Sequence, residues 1–397
     1  MSLTVFIMVP SISDPRPGLR PFASLELLGK PMFRYVQEAA AKAGFPPKYL
    51  FCKTEKKAWE TLSILPEGMR CLSSEDAASM KNQLQELEAV LLLWADAFSI
   101  TPELIGRLVN GGPGCCLAAD GTIVAAYCTG SEAAGLLMED SISLSVNWLC
   151  YAPHELDPNC CWISTGANTR RDFHRAAQAL RIQVLEQWME EGVLIPCTDG
   201  VMISTDSKIG EDTLILPGTQ LMGSCTVGRN CVIGPNTVMT DSAIGDESHI
   251  DSSKITQSTV GMGVKIGPYS QLRPNCHIAD GVKIGDFVEV KNSVIGQRTS
   301  VAHLTYVGDS DVGSRVNFGC GTVTSNYDGQ KKYRTVIGDN AFIGCNTNLV
   351  APVTVGDGAY TAAGSTITKD VPSGALAIAR SRQEIKPGWA EGKLGKK

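Results

Sequence analysis

The sequence predicts two architectures in one chain: an α/β N-terminal domain with Rossmann-like layering, then a left-handed parallel β-helix of hexapeptide repeats. Three observations carry this. Short apolar runs alternate with helical stretches through the first half. From Ile209 onward an aliphatic residue recurs every six positions. Glycine also shifts, with 14 in residues 1–200 and 26 in 201–397, while aromatics run the other way, 16 against 9.

In the first half, Thr4–Val9, Lys48–Cys52, Ala89–Trp94 and Thr122–Tyr127 are short, apolar and strand-like. Pro31–Ala43 reads as a helix: Pro31 suits a first turn, Met32, Tyr35, Val36 and Ala39 share one face, and Gly44 ends it. A longer helix, Arg171–Glu191, stops at Gly192 and keeps a helical period in Phe173, Ala177, Leu180, Val184, Leu185 and Trp188. The expected organisation is an α/β domain over 1–165, a connector over 166–200, a β-helix over 201–379 and a basic tail over 380–397.

In the second half, Ile209, Ile215, Leu221, Val227, Ile233 and Met239 keep a strict six-residue beat, as do Ile266, Leu272, Ile278, Ile284 and Val290. Each unit is one short strand and a turn, with its aliphatic side chain pointing into a narrow core. Three units close one triangular coil, so roughly nine coils fit the span. Glycines after the aliphatic residue, as in Ile233-Gly234 and Ile284-Gly285, suit crowded turns. The beat fails once, at 325–334, a polar Asp-Gly-containing stretch that reads as a projecting loop.

A net charge of −6 argues against a nucleic-acid binder held by a basic face. No apolar run is long enough for a membrane helix. Thr4–Val9 lacks a preceding basic region, so no signal peptide is expected and the cytoplasm is the expected location. The 14 cysteines include no CxxC, which fits reduced, mostly buried thiols. Residues 380–397 hold six Lys/Arg against two Glu, which suits either a solvated tail or an anion-binding one.

Among the histidines, His174 falls on the polar side of its helix, and His249 and His277 fall in repeat turns. They lack the tight grouping of a metal site. His303, in Val301–Val307, falls close in the coil stack to Glu289 and to the polar loop, where a nearby carboxylate could set its tautomer for base catalysis. Spacing alone leaves a surface histidine as the competing reading.

Several motifs go beyond the generic repeat: Leu272-Arg273-Pro274, Phe287-Val288-Glu289-Val290-Lys291, His303-Leu304-Thr305-Tyr306-Val307-Gly308-Asp309, Asn326-Tyr327-Asp328-Gly329, 349–356 and 375–380. With them, residues 168–397 resemble the C-terminal part of the bacterial bifunctional glucosamine-1-phosphate N-acetyltransferase / N-acetylglucosamine-1-phosphate uridyltransferase family, which makes UDP-N-acetylglucosamine. The resemblance implies a trimer whose sites lie between neighbouring prisms. It implies His303 as catalytic base and Glu289 as the carboxylate that orients it. Arg273 and Lys291 would hold the sugar phosphate, and Tyr306, Asn317, Asn326 and Lys332 would contact the amino-sugar phosphate. Cys320, Asn326, Tyr327, Cys345, Ala363 and Arg380 would contact acetyl-CoA. Cys320 and Cys345 replace the Ala and Ser usual there; those positions act mainly through backbone groups, so CoA binding is expected to survive.

The same family has a nucleotidyltransferase domain at its N-terminus, and traces of it remain. Leu28-Gly29-Lys30-Pro31-Met32 resembles its helix entry. Leu93-Trp94-Ala95-Asp96 and Gly166-Ala167-Asn168-Thr169-Arg170 resemble its magnesium contacts, through Asp96 and Asn168. The stretch 8–18 departs from the pattern. Its prolines lack N–H groups and its glycines are nearly absent, so the usual phosphate cradle cannot form. Phe22 stands where a lysine is expected, and no uracil-reading segment lies in 71–85. The expectation is a shortened, degenerate domain without uridylyl transfer. Asp96 and Asn168 would then persist as structure, and the domain could serve instead as a regulatory or partner-binding module.

Overall fold

The computed structural model describes residues 3–9, 24–52, 65–95, 97, 100–117, 123–138, 149–151 and 170–391. It divides into two compact units, 1–184 and 185–397, with the division inside the helix Arg170–Glu190. That helix matches the one expected over 171–191 to within one residue at each end. It ends as its glycine requires: Gly192 takes φ +89°, Val193 N–H reaches Trp188 O at 2.9 Å, and Gly192 N–H reaches Met189 O at 3.2 Å.

In the first unit the four expected strands form, at Leu3–Val9, Tyr49–Cys52, Ala89–Trp94 and Ile123–Cys128. They join three more in one sheet. Its spatial order is Arg70–Leu72, Tyr49–Cys52, Leu3–Val9, Ala89–Trp94, Ile123–Cys128, Gly114–Leu117 and Leu149–Tyr151. Only Ile123–Cys128 runs antiparallel to its neighbours. The central strands are apolar along nearly their whole length because both sheet faces are covered. Val36 and Ala39 of the helix Met32–Lys42 pack with Val5, Leu91 and Leu93 on one side. Phe6, Leu92 and Ala134 lie in the core of the other. Pro31 stands one place before the helix, as its N-cap. Residues 10–23, including Phe22 and most of the expected cradle, lie outside the described residues, as do Asp96 and Asn168.

The second unit is a left-handed parallel β-helix with three sheets of ten, nine and ten strands. The first face runs from Met202–Ile203 to Thr366–Ile367, the second from Lys208–Ile209 to Val353–Val355, and the third from Leu214–Ile215 to Leu376–Ala377. Every strand pairs in parallel with its counterpart one coil on. On the first face this stacks Ile203, Leu221, Met239, Ile255, Leu272, Val290 and Val307 in one inward ladder. Each of these is fully buried. Between the aliphatic ladders, buried hydroxyls satisfy corner carbonyls: Thr213 Oγ1 donates to Gly228 O at 2.7 Å and Thr299 Oγ1 to Gly313 O at 2.8 Å. Buried thiols fill similar places, and burial pushes Cys225, Cys231 and Cys276 above the ordinary thiol range, so they stay protonated and inert.

Gly285 illustrates how closely coils approach. A Cβ there would lie 1.9 Å from Ala302 O, whereas a Cβ on Gly263, at φ +62°, would meet nothing within 4 Å. Gly285→Ala is therefore expected to lower the stability of the β-helix by about 2–3 kcal/mol through overpacking. Gly263→Ala should cost roughly 1 kcal/mol, from backbone strain alone. Urea unfolding of the two variants checks this, and equal losses would remove the packing explanation.

Candidate active site

His303 ends the third-face strand Ser300–His303, and Tyr306 opens the first-face strand Tyr306–Gly308, so the histidine stands at the corner between those faces. Register builds a row along this corner. Asp286 pairs with His303 directly, and the ladder then runs from Val301 to Phe318, Ile343, Thr361 and Ala377. Two residues beyond each of these lie His303, Cys320, Cys345, Ala363 and Ala379. His303, the expected CoA contacts Cys320, Cys345 and Ala363, and the approach to Arg380 therefore occupy the same step of successive coils. His303, Cys345, Ala363 and Arg380 are exposed and Cys320 is half-buried. Arg380 folds back so that its Cδ lies 3.7 Å from the position a Cβ on Gly364 would take.

The expected partner of His303 needs correction. Its Nδ1 lies 2.7 Å from Asp286 Oδ1, while Glu289 is across the corner on the first face, with its Oε1 accepting from Arg273 Nη1 at 3.0 Å. The hydrogen bond from His303 holds the Asp286 carboxyl below the usual carboxylate range. An ionised carboxylate only accepts hydrogen bonds, so Nδ1 carries the proton and the neutral ring keeps its lone pair on Nε2.

Across the corner, Glu289, Lys291 and Tyr306 project outward from adjacent coils of the first face, with Arg273 beside them. Tyr306 lies flat along that face because its neighbour is Gly308, where a Cβ would sit 2.3 Å from Tyr306 Oη. The polar loop brings a further cation. Its start is tied by Asn326 Nδ2 donating to Asp309 Oδ2. Its end is tied by Arg334, whose Nε donates to Asp311 Oδ2 at 2.7 Å and whose Nη1 donates to Asn292 O at 3.1 Å. Between them Asp328 Oδ1 accepts the Gln330 and Lys331 N–H groups at 2.7 and 2.6 Å, and those bonds hold its carboxyl below the usual range. So shaped, the loop sets Lys332 against Lys291. The Lys332 amine beside it, by hydrogen bond and charge, pulls the Lys291 ammonium below the ordinary lysine range, and Arg273 adds to the effect. Three cations thus converge, with Glu289 bonded to Arg273 and the Asp309 carboxylate offsetting part of the repulsion on Lys291.

Not every expected contact joins this cluster. Asn317 stands on the third face, in register with Ser300 and Phe342. Tyr327 is exposed, with its hydroxyl donating to Gly329 O at 2.6 Å. His174, His249 and His277 are exposed, but His249 and His277 open the short strands His249–Ile250 and His277–Ile278 instead of lying in turns. Residues that sequence reasoning missed are Asp286, Asp309 and the pair Asp311–Arg334. Coil arithmetic could have found the first, since Asp286 and His303 are 17 residues apart, one coil.

Comparison with known proteins follows the same geometry. The family model "Bacterial transferase hexapeptide (six repeats)" matches residues 206–241, 257–292 and 334–369. "Bifunctional protein GlmU" of Caldicellulosiruptor saccharolyticus is 53% identical over 224 residues, covering 56% of this chain and 48% of that protein. Its namesake from Halalkalibacterium halodurans is 50% identical over 221 residues, covering 56% and 49%. Over those aligned residues this chain is similar to those bifunctional proteins. It spans about half the length of the curated relatives it matches. Among solved structures, LpxA from Acinetobacter baumannii is 17% identical at a TM-score of 0.28, covering 47% of this chain and 71% of that one. Molybdopterin-guanine dinucleotide biosynthesis protein A from Archaeoglobus fulgidus is 18% identical at a TM-score of 0.34, covering 45% and 98%. Neither likeness bears on function.

The crowding of Lys291 by Lys332 is directly testable. Lys332→Gln is expected to raise the Lys291 pKa toward the ordinary lysine value, read by the 13Cε shift of Lys291 in a pH titration. Adding inorganic phosphate to the native protein should move it the same way, because a bound anion favours the charged amine.

Proposed function

We propose that the β-helix catalyses acetyl-CoA-dependent N-acetylation of glucosamine 1-phosphate to N-acetylglucosamine 1-phosphate, a step toward UDP-N-acetylglucosamine. The observation that carries this reading is the corner itself, where a histidine with its free lone pair on Nε2 stands between two features. One is a first face with unneutralised cations; the other is a row of exposed small and thiol-bearing positions leading to Arg380. The sugar phosphate would bind Arg273, Lys291 and Lys332, with Tyr306 and Asn326 as further polar contacts. The amine would attack the thioester carbonyl, forming the C–N bond and breaking the C–S bond. His303 would take the proton from nitrogen and return it to the departing CoA sulfur. Acetyl-CoA would lie along Cys320, Cys345 and Ala363, with Tyr327 and the cationic Arg380 segment near its phosphates.

Asn317 supports a homotrimer, with no membrane or nucleic acid involved. It lies on a different face from the sugar-binding cations, so it would serve the site of a neighbouring prism. No helix among the described residues is long and apolar enough to cross a membrane. The prolines of 8–18 favour an N-terminal domain without uridylyl transfer. Asp96 and Asn168 are then candidate magnesium contacts kept as structure.

One observation favours a second, larger acceptor such as a nucleotide sugar. A cleft of about 290 Å³ on the third face is lined by His249, Asp251, Lys265 and Lys283, and Lys283 begins the strand that ends at Asp286. A panel of amino-sugar phosphates and nucleotide sugars would separate the two readings.

The decisive measurement pairs two assays on one preparation. CoA release with acetyl-CoA and glucosamine 1-phosphate is expected. Pyrophosphate release with UTP and N-acetylglucosamine 1-phosphate is not, and its detection would overturn the proposal for the first domain. His303→Ala should lower kcat by on the order of 10²–10⁴-fold; undiminished acetyl transfer would exclude His303 as the base.

A further inference from the structure

We infer that Asp286 is the positioning residue of His303, and that Glu289 acts on the other side of the corner, setting the charge of the phosphate-holding cations. The inference rests on the acetyl-transfer reading for its kinetic consequences, although the hydrogen bond itself does not.

The backbone makes the assignment specific. Asp286 and His303 are register partners at the ends of adjacent parallel strands, so the ladder fixes their Cα atoms side by side, and the Nδ1–Oδ1 bond of 2.7 Å closes between them. Such a pair needs no long-range folding to align and is short enough for a charge-assisted bond. Gly285 allows it, because a side chain there would strike Ala302 O and push the two strands apart beneath the pair. Glu289 is the first residue of the next strand, past the turn, and its Oε1 is engaged by Arg273. Its removal would leave Arg273, Lys291 and Lys332 with more uncompensated charge and would leave Nδ1 of His303 untouched.

Orientation and charge are separable here. An ionised Asp286 fixes the tautomer that leaves Nε2 as base, and it also stabilises the imidazolium formed when the base accepts a proton. An asparagine at 286 can still accept from Nδ1–H but carries no charge, and an alanine does neither. The charged or titratable groups around His303 are Asp286 on the preceding coil, Cys320 on the following one, and Glu289, Arg273, Lys291, Lys332 and Tyr306 past the corner. Among the described residues, Asp286 alone is hydrogen-bonded to the ring.

The test uses the full chain and two readouts. Imidazole 15N–1H correlation spectra should show the Nδ1-protonated tautomer of His303 in the native protein and in Asp286→Asn, and a mixture rich in the Nε2-protonated form in Asp286→Ala. In steady-state kinetics Asp286→Ala should lower kcat roughly tenfold to a hundredfold with little change in KM. Asp286→Asn should lose less. Glu289→Gln should change KM for glucosamine 1-phosphate and leave the tautomer unaltered. A tautomer that survives Asp286→Ala, or one that changes in Glu289→Gln, would overturn the inference. If His303→Ala retains full activity, the acetyl-transfer reading fails, while the spectra still decide whether Asp286 sets the ring. Asp286→Asn, nearly isosteric, keeps the test open if the alanine variant does not fold.

Discussion

The functional half of this protein depends on the parallel ladder between successive coils. A coil must close through three strands and three corners around a narrow core, so the inward strand positions are mostly aliphatic and every outward one is addressed by face and step. Residues one coil apart in sequence become cross-strand neighbours at about 4.8 Å. His303, Asp286 and the row toward Arg380 are aligned by that register.

The same rule explains what is legible in the sequence. The inward beat is local and repetitive, so the β-helix and its inward residues are visible in the six-residue period. The first-unit strands are visible because parallel strands covered on both faces are continuous apolar runs. The Asp286–His303 pair is harder to see, because it is set by coil length. The 14 residues from Glu289 to His303 make it the nearer carboxylate in sequence, while the 17 from Asp286 make it the neighbour in space. The loop is legible as a break in the beat, but its anchoring is not. Asp309, which receives Asn326, is a buried corner residue at φ +47°, and nothing in its sequence context marks it as an anchor.

Electrostatics across the corner divide the work between two carboxylates. Asp286 faces a ring that can release or accept a proton, so its charge bears on the base. Glu289 faces a guanidinium that is always charged, so it can only trim the positive field of the first face. That field is kept in excess. Lys332 is delivered against Lys291 by a loop nailed at both ends, and two ammonium groups so placed repel until an anion lies between them. The repulsion is tolerable because both side chains reach solvent. An arrangement that costs stability when empty and is relieved by a phosphate favours binding over bare packing.

The scaffold of the first unit can be traced to particular residues. Its sheet is specified by Leu3–Val9, buried from Thr4 to Val9 and paired with strands on both sides. Its first helix is specified by an apolar stripe that begins after Pro31. Proline within residues 8–18 removes N–H donors that the phosphates of a nucleotide would need. The presence of an α/β layer therefore carries no weight for nucleotidyl transfer, and that activity turns on the backbone donors of one short segment.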